Sequence, residues 1–147
     1  MDWSDTVIVV GALGELKAYK VVESQREVNG ELKTYYHPEL ITDLDFIDAH
    51  KKLHEVVTDE AGRFGHNIGE EHELQNERKE RIIKDAAKVI QQLIDTLKPK
   101  SVLLSYTKAY AHKLEEALDS ATKAKIKKIV PADLIKTPAN ALLEHFA

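Results

Sequence analysis

Cysteine is missing from all 147 residues, which excludes disulfides and thiolate metal sites. A basic leader and a long apolar run are missing as well. The opening MDWSDTVIVVGALG has no positively charged start, its apolar stretch is too short for a signal peptide, and nowhere does the chain approach the roughly 20 apolar residues of a membrane-spanning helix. A cytoplasmic protein is therefore expected. No repeat, linker or low-complexity tract breaks the sequence, so residues 1–147 are read as one domain. A chain of this length buries about 70% of its unfolded surface and needs no staple.

Charge is present but unevenly spread. From Lys98 to Lys136 nine lysines meet only Glu115, Glu116, Asp119 and Asp133, a net of +5, whereas residues 1–97 carry a net of -8. Such asymmetry can steer a polyanion onto one face, and it is also what ordinary solvated helix surfaces carry.

The local patterns give an order of elements. TVIVV (Thr6 to Val10) is a β-branched run and reads as a buried strand. GALG follows, with Gly11 and Gly14 able to take positive φ, and ELKAYKVV then alternates, Leu16 and Ala18 on one side and Lys17 and Tyr19 on the other. Asn29-Gly30 is a type I′ turn signal, and LKTYYH after it is a third strand. Thr42 or Asp43 is expected to cap a short helix carrying Leu44, Ile47, Leu53 and Val57. A glycine-containing loop, DEAGRFGHN (Asp59 to Asn67), leads into a long helix from about Glu70 to Lys98-Pro99. Its second half carries an apolar stripe of Ile82, Ile83, Ala86, Ala87, Ile90, Leu93, Ile94 and Leu97. Its first half is charged and must project, fray or meet another molecule. SVLLSY is a fourth strand, and Thr107 is expected to cap a helix that turns Tyr110, Leu114 and Ala117 or Leu118 inward. A helical turn after Ser120 leads to IKKIV, a fifth strand. Thr137-Pro138 is read as N-cap and first helical residue of the closing ANALLEHF.

The resulting β-β-β-α-β-α-β-α order, an antiparallel meander followed by crossover units, predicts a three-layer α/β domain of ribonuclease H-like arrangement. The fold does not bring nuclease chemistry with it. Paired divalent ions about 3.5–4 Å apart need several shared carboxylates, and neither TVIVV nor SVLLSY carries one. Asp5 and Asp133 alone do not make such a site. His50 and His54 stand at i,i+4 without a predictable third ligand, His66 and His72 flank a glycine, and no metal or other cofactor is expected. Ser105, Tyr106 and His112 lack the nucleophile-elbow turn. GALGELK has too few glycines for a phosphate loop and runs into a strand. No catalytic residue is assigned.

The segments TVIVVGALGELKAYKV, DEAGRF, EEHELQNERKERIIKDAAKVI, SVLLSY and VPADLIKTPANALLEHF, in this order, resemble the bacterial family of proteins required for attachment to host cells. They are similar in turn to the middle domain of archaeal and eukaryotic class-one peptide release factors. The family's opening strand is usually followed by Ala-Asp, where this chain has Gly11-Ala12. In the closing segment Asp133 and Leu134 match the family pattern while Ile129, Ala132 and Ile135 depart. The release-factor likeness implies a ribosome or transfer-RNA partner. Hydrolysis in those relatives depends on a Gly-Gly-Gln loop, which is absent here.

The expected function is accordingly a non-enzymatic, ribosome- or RNA-associated domain, with a protein-interaction module for attachment as the alternative and a hydrolase of unassigned residues as a third. Candidate contacts are Arg63 as an anion fork, Phe64 as a stacking ring, His66 beside them, and the lysines Lys123, Lys125, Lys127 and Lys128. Phe64 can equally plug the core. Arg78, Lys79 and Arg81 alternate with Glu77 and Glu80 and read as intrahelical salt bridging.

Overall fold

The computed structural model describes residues 3–45 and 68–147. Within them five strands form one sheet: β1 (Thr6–Ala12), β2 (Glu15–Val28), β3 (Glu31–Asp45), β4 (Ser101–Tyr106) and β5 (Ile126–Pro131), in spatial order β3-β2-β1-β4-β5. β1, β2 and β3 pair antiparallel, while β4 runs parallel to β1 and to β5. In the chain α1 (Ile68–Leu97) stands between β3 and β4, α2 (Ala111–Ala117) and α3 (Ser120–Lys125) between β4 and β5, and α4 (Ala139–Phe146) after β5. This is a mixed α/β domain.

Alternation along the strands builds two cores. Val7 and Val9 of β1, Leu16 and Ala18 of β2, and Val102 and Leu104 of β4 meet Ile83, Ala86, Ala87, Ile90 and Ile94 of α1 and Leu114 of α2. The residues between them, Ile8, Val10, Tyr19, Val21 and Leu103, meet Leu134, Ile135 and, on α4, Leu142 and Phe146. A central strand covered on both faces has to be apolar at every position, which is why TVIVV shows no alternation. Each fully buried aliphatic or Phe side chain contributes about 1.5–3 kcal/mol relative to exposure.

Two signals act as the sequence indicates. Asn29 and Gly30 have φ of 52° and 81°, as a type I′ turn requires, and they pair Val28 with Glu31. Buried Ile82, Ile83, Ala86, Ala87, Ile90 and Ile94 face inward from α1. The helix stops at Lys98, whose φ of 48° breaks the spiral ahead of Pro99. Among the described residues no helix is long and apolar enough to cross a membrane.

Other expectations need correction. Gly11 lies inside β1 and Gly14 in the following turn, and neither has positive φ. Thr42, Asp43 and Leu44 belong to β3, not to a helix, because they pair with Ala18, Lys17 and Leu16 of β2. The third strand runs on past LKTYYH and through Pro38, since β3 is at the sheet edge and one missing amide is tolerated there. Ile47, Leu53, Val57, His50 and His54 lie outside the described residues. Thr107 does not cap α2: its carbonyl accepts the Tyr110 amide at 3.0 Å in a turn, and Tyr110 is the cap. α4 starts one residue later than read, because Pro138 has an extended ψ of 143° and is itself the N-cap. Leu97 is 36% exposed, being the last residue of α1.

Candidate functional site

Because β1, β4 and β5 are parallel, their carboxyl ends lie on one side of the sheet, where open α/β sheets usually bind ligands. Gly11 and Tyr106 are register partners there, and the Thr107 amide donates to the Gly11 carbonyl at 3.1 Å. The Tyr106 ring fills the space over Gly11 so closely that a Cβ at position 11 would stand 2.7 Å from Cδ1 and 2.8 Å from Cε1. The ring is buried, and its hydroxyl has no hydrogen-bond partner. Burial, and secondarily the nearby Tyr110, push this phenol up to about 12. Lys79 of α1 lies 5.7 Å from the centre of the Tyr110 ring, a cation–π contact at this end of the domain.

Around this floor the polar groups are committed to structure. The Ser105 hydroxyl donates to the Ala132 carbonyl at 2.6 Å, tying β4 to the chain beyond β5. Asp133 Oδ1 accepts the Ile135 amide at 3.1 Å, and Lys17 Nζ donates to the Ile135 carbonyl at 3.1 Å. His112 pairs with Glu116 at 2.9 Å on the exposed face of α2. Ser105, Tyr106 and His112 therefore do not form a nucleophile and its base. Among the described residues no group of three His, Asp or Glu side chains could hold a metal ion.

Arg63, Phe64 and His66 lie outside the described residues. The four lysines are divided. Lys123 and Lys125 end α3, whereas Lys127 and Lys128 are on β5. Lys125 donates to the Pro99 carbonyl at 3.3 Å and lines a hollow that also holds Asp95, Lys98 and Asp119. Lys128 reaches the carbonyls of Phe146 and Ala147, both at 3.5 Å. Lys127 lines a different cavity, with Trp3, Lys100 and Ser101.

The feature that sequence reasoning missed is the outer edge of β3. β1 pairs with β2 only as far as Lys20, so the β2–β3 hairpin continues beyond it. Leu32, Tyr35, Leu40, Ile41 and Leu44 are all exposed on β3, at 75, 42, 53, 40 and 36%. Elsewhere among the described residues Leu97 alone is a large apolar side chain so exposed, so this surface is concentrated on one strand. The signal was the apolar spacing of ELITDL after Pro38, which also fits a helix.

The family described as "Protein required for attachment to host cells" matches residues 17–146. The chain belongs to that family. The host-attachment match takes in the β2–β3 hairpin from Lys17 onward, the described helices and the parallel strands β4 and β5. No curated protein matches the chain. Among solved structures it is similar to the ethanolamine utilization protein EutJ from Carboxydothermus hydrogenoformans, at 17% identity and a TM-score of 0.43, over 92% of this chain. The chain spans about half the length of that protein, 48%.

Proposed function

We propose that this host-attachment family member is a non-enzymatic interaction module that contributes to attachment by taking an extended segment of a protein partner onto the edge of β3. The observation that carries the reading is the run of exposed apolar side chains on that edge. An edge strand offers unpaired backbone amides and carbonyls, so a partner strand gains main-chain hydrogen bonds while its alternate side chains meet Leu32, Leu40 and Ile41. Proteins usually blunt such edges with charge or cover them, because bare apolar edges aggregate. Here β3 does carry Glu31, Lys33, Glu39 and Asp43, which place charge between the apolar positions.

We further infer a ribonuclease H-like arrangement, supported by the β3-β2-β1-β4-β5 order and by helices on both sheet faces. Kinship with the release-factor middle domain is a proposal that rests on the order of the matching segments. A photo-reactive residue tests the interaction reading. Placed at position 40, it is expected to give a defined protein adduct in attaching cells, and at Lys113 on α2 none. Equal labelling from both positions, or adducts with RNA alone, would contradict it.

A further inference from the structure

At the amino ends of β1 and β4, opposite the Tyr106 end, lies a cavity of about 300 Å³. Its walls come from three separate parts of the chain. Trp3 and Ser4 precede β1, Thr6 begins it, Lys100 and Ser101 lead into β4, and Lys127 reaches in from β5, with Leu103 as apolar lining. Lys127 occupies a bulge: Val102 pairs with Ile126 and Leu103 with Lys128, so one extra residue is inserted opposite β4. The rim is fixed by backbone bonds, since the Asp5 carbonyl accepts the amides of Lys100 and Ser101 at 3.0 and 3.4 Å. The hydroxyls of Thr6 and Ser101 stand 3.2 Å apart, and the Thr6 hydroxyl also lies 3.2 Å from the Ser4 carbonyl.

We propose that this cavity binds a small phosphorylated molecule bearing a planar ring, of nucleoside-monophosphate size. Two lysines, Lys100 and Lys127, line it, and no carboxylate does among the described residues. Lys125 and Lys128 are held by carbonyls, but the side chains of Lys100 and Lys127 have no hydrogen-bond or ion-pair partner among the described residues. Two unopposed cations at one opening favour an anion, and the net positive stretch from Lys98 to Lys136 strengthens the local field. The Thr6 proton is held by the Ser4 carbonyl, and the Ser101 hydroxyl can turn from Thr6 to donate to a phosphate oxygen. The half-buried indole of Trp3 supplies a face for a planar ring, a contact that tolerates different bases. The volume is at the small end of ligand sites, which suits one mononucleotide.

Trp3 is the sole tryptophan, so its fluorescence reports on this cavity alone. The full chain is titrated with adenosine monophosphate, ribose 5-phosphate and inorganic phosphate. Adenosine monophosphate is expected to change the emission saturably and to bind about tenfold more tightly than the two ligands without a base. Lys100→Gln and Lys127→Gln, both exposed substitutions, are each expected to weaken binding about tenfold without lowering the melting temperature. Lys113→Gln, remote from the cavity, is expected to leave binding unchanged. No saturable change up to millimolar ligand would overturn the proposal. So would equal affinity for phosphate and the nucleotide, or unaltered affinity in both lysine variants.

Discussion

Replacing Gly11 with alanine adds one methyl group at a place with no room for it. The new Cβ would stand 2.7 and 2.8 Å from two carbons of the Tyr106 ring, well inside van der Waals contact. That ring is 1% exposed and cannot swing into solvent, so either the ring or the β1–β4 spacing must give. Overpacking of this kind costs about 1–3 kcal/mol. Gly11 lacks positive φ, so alanine suffers no backbone strain and recovers about 0.5–1 kcal/mol of the strand penalty of glycine. At the middle of these ranges the net is a loss of about 1 kcal/mol, with an upper bound of about 2.5 kcal/mol. A loss of about 1 kcal/mol lowers Tm by roughly 2–4 °C in a domain of this size. Thermal and urea unfolding of the full chain, followed by circular dichroism, read it. In a Tyr106→Leu background the same substitution is expected to cost less, because the ring it strikes is gone, and the double-mutant cycle isolates that coupling. A Gly11→Ala protein as stable as wild type would refute the packing argument.

Tyr106→Phe removes a buried hydroxyl that has no partner and is expected to leave stability unchanged or raise it by about 1 kcal/mol; a lower Tm would reveal a partner for that hydroxyl. The phenol's folded pKa lies above its unfolded value of 10.0, at about 12, so its contribution is fully present below pH 10 and is lost as pH rises through 12. Wild type is thus expected to lose roughly 2–3 kcal/mol more than Tyr106→Phe across that window in alkaline unfolding, and parallel curves would contradict this. Asp119 accepts the Thr122 amide at 2.7 Å, and hydrogen bonding from the Thr122 side chain, with this amide second, lowers its pKa. Its contribution is therefore present above the unfolded carboxylate range and lost as pH falls through the folded pKa, so Asp119→Ala is expected to lower Tm at neutral pH and to match wild type in acid. If Lys123, Lys125, Lys127 and Lys128 act together on RNA, log K against log[salt] has a slope of roughly -3 to -4 that flattens when all four become glutamine; a slope near zero in wild type would remove that reading.

The central frame was legible because its signals are local. Strands β1 and β4 announce themselves as short apolar runs, Asn29-Gly30 fixes the hairpin register, and the α1 stripe has a clear helical period. The second half of β3 was not legible. Pro38 and the spacing of Leu40, Ile41 and Leu44 mimic a strand end and a helix start, and only pairing with Leu16 to Tyr19 of β2 decides the matter. Spacing likewise could not show that Gly11 is a packing glycine, since its reason, the Tyr106 ring, is 95 residues away and arrives through the parallel β1–β4 pairing. Lys123, Lys125, Lys127 and Lys128 lie close in sequence, but sequence proximity does not fix where their side chains go. A helix end and a bulge send Lys125 and Lys127 into different hollows.

Two variants compared in one attachment assay test the interaction reading most directly. Cells lacking the chain are supplied with Leu32→Lys/Leu40→Lys/Ile41→Lys, which places charge along the β3 edge, or with the four-lysine glutamine variant. All three edge positions are exposed, so folding is expected to be retained, and a melting curve verifies it. The account predicts that the edge variant attaches no better than cells without the chain, while the glutamine variant attaches like wild type. Full attachment by a folded edge variant would contradict it.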